Sequence, residues 1–174
     1  MDFEKNLRTD LQQYLLTEKC IDKKAPVCTD VEEYWNKIAE EYMADGIREF
    51  NSYPTVSLGW MMFIGMAMAK YWDADWSQYS QSSNLYADIR DKRGYDNMDD
   101  YILQEVLCLD KAQAEATGRI VGECAQRSYS MLCHSRIAAG TPEAFKAYVA
   151  CLHQLYLMGM SMQLKNMDYH MSLT

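Results

Sequence analysis

From Leu58 to Ala69 the chain runs Leu-Gly-Trp-Met-Met-Phe-Ile-Gly-Met-Ala-Met-Ala without a charged residue, and Lys70 closes the run. A membrane span needs about 20 apolar residues, so this stretch is too short to cross a bilayer and has to be covered by protein. With its flanks it reads as one helix from Thr55 to about Trp72, apolar all round. A helix with no polar face must be enclosed on every side. That requirement predicts an all-α bundle packed around this central helix. Gly59, Gly65, Ala67 and Ala69 would let neighbours approach closely. Met61, Met62, Met66 and Met68 suit irregular gaps.

The rest of the chain agrees. Its apolar periodicity is helical, and period-two alternation is nowhere sustained, so no strand is predicted. Phe3, Leu7, Leu11, Tyr14, Leu15 and Ile21 form a first stripe, stopped by Lys23-Lys-Ala-Pro26. Thr29-Asp-Val-Glu32 fits a capping box that opens a second helix, with Val31, Trp35, Ile38, Tyr42, Ile47 and Phe50 on one face. Tyr53-Pro54 breaks the chain before the central helix. Asp75 or Ser77 would cap a new turn, and the run Ser77-Gln-Tyr-Ser-Gln-Ser-Ser83 predicts a kink or loop. Asn84 to Arg93 reads as helical, with Gly94 as its cap. Asp96-Asn97 is predicted to cap the longest helix, Met98 to about Ala138, which contains no Pro. Gly118 and Gly122 weaken it in the middle and predict a close crossing there, with a flexible hinge as the alternative. Thr141-Pro-Glu143 starts the last helix, with Phe145, Val149, Leu152, Tyr156 and Gly159 on its stripe. The expectation is one helical domain over residues 1–174, with five to seven helices and a frayed tail at 168–174.

With 174 residues such a chain can bury roughly two-thirds of its unfolded surface. It carries 17 Lys and Arg against 25 Asp and Glu, a formal charge of −8. That balance gives no electrostatic footprint for nucleic acid and would be repelled by an anionic membrane surface. The opening MDFEKNLRTD has no basic or apolar leader pattern. Six cysteines occur without a CxxC spacing, mostly among apolar neighbours. They read as reduced core thiols of a cytoplasmic protein.

Motifs for chemistry are absent. There is no Glu-x-x-His for a di-iron bundle, no convergent Cys or Met set for a soft metal, and no phosphate-cradling glycine pattern. No metal and no cofactor are expected. One catalytic alternative stands: near the Gly140 turn, with Cys151 close by, His134 or Cys133 could face His153 if the last two helices are antiparallel neighbours. The remaining distinctive feature is aromatic content, 12% with 13 Tyr. Its densest cluster is Tyr71, Trp72, Trp76 and Tyr79, interleaved with Asp73 and Asp75. Tyr and Trp combine an apolar body with a polar handle, which suits a binding surface. The chain is therefore expected to be a non-enzymatic interaction or assembly protein. Its partner would be another copy of itself, a different protein or, as the alternative, a small apolar or aromatic molecule. These six residues form the candidate site.

Overall fold

The computed structural model describes residues 2–24 and 28–169, and every regular element among them is helical. No helix among the described residues is long and apolar enough to cross a membrane. Helix α1 (Phe3–Thr17) opens on Asp2, whose carboxylate accepts from the amides of Glu4 (3.0 Å) and Lys5 (3.3 Å). Leu7, Leu11 and Leu15 form one fully buried ridge. The helix ends before its apolar stripe does. Lys19 takes a left-handed φ of 61°, and Ile21 reaches the core from the turn beyond it. The predicted stop at Ala25–Pro26 lies outside the described residues.

The second helix is split into α2 (Thr29–Glu33) and α3 (Trp35–Ser52) at Tyr34. Cys28 holds the extended conformation that a cap needs, so Thr29 is already inside the first turn. The expected Thr29–Glu32 capping box does not form. The central helix, α4 (Pro54–Tyr79), starts at Pro54, one residue before the expected Thr55, and continues past Trp72 through a kink at Asp75. Helix α5 (Leu85–Arg93) lies between its Asn84 cap and Gly94, which takes a φ of 84°.

The longest predicted helix is not continuous. A 3₁₀ turn (Tyr95–Asn97) leads into α6 (Met98–Tyr101) and then a π turn (Ile102–Val106), in which the Leu107 amide donates to the Ile102 carbonyl at 2.8 Å. Asn97 does not cap; its side chain donates back to the Arg93 carbonyl. The chain reverses at Cys108, where φ is 54°. Asp110 and Gln113 then form a reciprocal capping box, 2.8 and 3.1 Å, that starts α7 (Lys111–Cys133). This start signal lay inside an unbroken apolar pattern, and periodicity alone ran over it. With α8 (Pro142–Asn166), capped by Thr141, the described residues form eight α-helices where five to seven were expected.

The core is built on α4 and α8. Ser57 meets Tyr148 and Gly65 meets Tyr156, a constant offset that marks parallel packing. Helix α7 covers another side of α4, where a Cβ on Gly59 would touch Val121. Gly118 and Gly122, expected at a close crossing, have nothing within 4 Å of where their Cβ would stand. The small residue of that crossing is on α4 instead. Asp168 and Tyr169, expected to fray, carry a contact: the Tyr169 hydroxyl donates to Asp73 and its ring meets Trp72. Residues 170–174 lie outside the described residues.

Much of the tyrosine content is core. Tyr42 donates to the Ser57 carbonyl (2.7 Å), which leaves the Tyr95 hydroxyl to donate to Tyr42 (2.8 Å). Ser57 Oγ donates to the Gly46 carbonyl (2.7 Å) and accepts from Tyr148 (2.6 Å). Tyr156 donates to the Val31 carbonyl and Tyr86 to Asp45, both at 2.7 Å. Each of these five rings brings apolar area and has its hydroxyl satisfied within the fold, whereas the shielded Tyr34 hydroxyl has no hydrogen-bond partner.

Candidate functional site

The structure divides the six anticipated residues among four places. Asp75 leaves helical geometry (φ −166°, ψ 79°), and its carboxylate accepts from Ser77 Oγ (2.8 Å) and the Gln78 amide (3.3 Å). It caps the last turn of α4, as its sequence position suggested. Along a straight helix Tyr71 and Tyr79 would stand about 12 Å apart. The kink instead stacks them, with ring centroids 4.1 Å apart and planes at 18°. Trp72 turns elsewhere, its Nε1 donating to Asp30 at 3.0 Å, and joins Asp73 in holding Tyr169. Trp76 lies edge-on to Tyr34 at 5.2 Å, against the α2–α3 junction.

Tyr71 and Tyr79 line an open cleft of about 680 Å³. Leu85 and Asp88 of α5 and Tyr101 and Val106 of α6 and the π turn line it as well. Burial pushes the Tyr71 phenol well up, so it stays a neutral hydroxyl. The cleft contains both charges. Its carboxylates are engaged: Asp91 with Arg90 (2.9 Å), Glu105 with Arg93 (3.1 Å), and Asp88 as acceptor from Ser82. Its ammonium groups, Lys70 and Lys92, bond to no described residue. The sequence reading missed both lysines, although Lys70 stands out as the charge that closes the apolar run.

A second cleft, about 630 Å³, opens where α3, the end of α7 and the start of α8 meet. Phe50, Tyr129, Leu132 and Tyr148 line it, with Ile47 and Phe145 on its walls. None of its lining residues is Asp, Glu, Lys or Arg, in a chain that is 24% charged. Ile47 is 41% and Phe145 48% exposed, although both were placed on buried stripes. Periodicity identified the apolar face of each helix, but among the described residues no neighbour covers Ile47 or Phe145.

The cysteines and histidines near the α7–α8 turn take separate partners. His134 Nδ1 lies 2.7 Å from the Ser130 carbonyl on its own helix. His153 stacks on Trp35 at 4.7 Å and reaches Glu4 of α1 at 3.3 Å. Cys151 is fully buried, and desolvation pushes its thiol up; Cys133 is exposed beside the apolar cleft. Among the described residues no three His, Cys, Asp or Glu side chains are grouped to hold a metal. No protein-family model, curated protein or solved structure matches the chain.

Proposed function

We propose that this chain is a non-enzymatic assembly protein that pairs with a second copy of itself through the uncharged cleft between α3, α7 and α8. The observation that carries this reading is the cleft's lining, in which no Asp, Glu, Lys or Arg takes part. Copies of a chain with a formal charge of −8 repel one another, least where a face has no charge. The exposed Ile47 and Phe145 side chains stand beside the hollow they would fill on a partner. Knob and hole on one face is the self-complementary arrangement that a two-fold interface requires. Six free thiols support a reducing, cytoplasmic setting for the assembly.

Sedimentation equilibrium from roughly 1 µM to 1 mM tests it across the affinity range of weak and strong dimers. The mass is expected to rise towards twice 20.2 kDa. The double variant Ile47→Glu with Phe145→Glu is expected to stay monomeric with unchanged helical circular dichroism. A wild type that is monomeric throughout, or a double variant that dimerises as well, would overturn the proposal.

A further inference from the structure

We infer that the cleft beside the Tyr71–Tyr79 pair binds a small aromatic anion, its ring on the tyrosines and its carboxylate or phosphate on Lys70 and Lys92. This site is separate from the dimer face and does not rest on it.

Two departures from regular helix converge there. The kink at Asp75 lays Tyr79 over Tyr71, and the π turn carries Tyr101 and Val106 into the same cleft. Each gives up regular helical hydrogen bonding, and π turns recur where helices form functional sites. The volume, about 680 Å³, lies within the usual range for small-molecule sites.

Charge decides the ligand class. Two of the three carboxylates lining the cleft are paired with arginines and Asp88 accepts from the Ser82 hydroxyl, whereas neither lysine bonds to a described residue. Lys70 is also half-buried, at the end of the apolar run of α4. A cation partly removed from water and left unpaired is costly, and an anionic ligand would relieve that cost. The stacked phenols supply a flat wall for a ring. The chain's overall charge of −8 opposes polyanions, which narrows the head group to one carboxylate or one phosphate.

Isothermal titration of the full chain with indole-3-acetate and with AMP, beside neutral indole-3-acetamide and adenosine, tests the assignment. One of the anions is expected to bind with a Kd below about 1 mM, and its neutral counterpart about tenfold more weakly. The anion that binds identifies the head group as carboxylate or phosphate. Lys70→Gln is expected to reduce the anion's affinity to that of its neutral counterpart. Lys92→Gln, at an exposed position where folding is not at stake, is expected to weaken binding in the same direction. The inference fails if neither anion binds with a Kd below about 1 mM. It also fails if the neutral counterpart binds equally well, or if neither lysine substitution changes the affinity.

Discussion

The carbonyl oxygen of Tyr156 occupies the place where a Cβ on Gly65 would stand. The arrangement is reciprocal, because a Cβ on Gly159 would overlap the carbonyl of Met62. Helices α4 and α8 therefore touch backbone to backbone at two points, and the bundle closes on that contact.

Gly65→Ala and Gly159→Ala are each expected to cost about 3 kcal/mol or more, since the obstacle is backbone and cannot rotate away. Gly122→Ala is the control. Its methyl meets nothing, so helix propensity alone is expected to raise stability by up to about 1 kcal/mol. Urea denaturation of the three variants would show the contrast, and equal effects at Gly65 and Gly122 would refute the backbone contact.

Glu41 sets up a stability effect of opposite sign. Both of its carboxylate oxygens are shielded from solvent without a hydrogen bond, and burial raises its pKa above the usual 4.5. A raised carboxyl binds its proton more tightly folded than unfolded. Its contribution to stability is therefore present below pH 4.5 and lost as pH rises through the folded value. Glu41→Gln removes the ionisation and is expected to stabilise the protein by about 1 kcal/mol at neutral pH. No gain at pH 7 in thermal or chemical melts would count against it.

His153 works in the other direction. Burial against Trp35 lowers its pKa below 6.5, and that outweighs the attraction of Glu4. The unfolded chain then takes up the proton first. Stability from this group is complete above pH 6.5 and falls as pH drops through the folded value. His153→Phe keeps the ring on Trp35 and is expected to flatten the fall in stability below pH 6.5. An NMR titration that finds the imidazole pKa above 6.5 would overturn this assignment.

The thiols are expected to react in order of exposure. Cys108 and Cys133 are exposed, whereas Cys28, Cys124 and Cys151 are buried, with Cys124 pushed up to about 12. Iodoacetamide under native conditions should label the first two well before the other three, because the thiolate is the reacting form and needs access. Peptide mass spectrometry over time reads the order, and early labelling of Cys151 would contradict the packing of α8.

Local patterns in the sequence determined the helical class, the central helix and its start beside Pro54, the starts at Asn84 and Thr141, and a cap at Asp75 or Ser77, of which Asp75 takes the role. Each rests on period, capping chemistry or a proline, all of which act within a few residues. The sequence also marked Tyr71, Trp72, Trp76 and Tyr79 as one cluster, from which the structure pairs Tyr71 with Tyr79. Their stacking depends on the kink between them, which the polar run from Ser77 only suggested. Only the tertiary structure decided that α8 runs parallel to α4, that Trp72 and Trp76 face away from Tyr71, and that Ile47 and Phe145 stay uncovered. An apolar stripe states that a face seeks burial but not which helix arrives to bury it. That choice is made where the backbones of Gly65 and Gly159 allow two helices to touch.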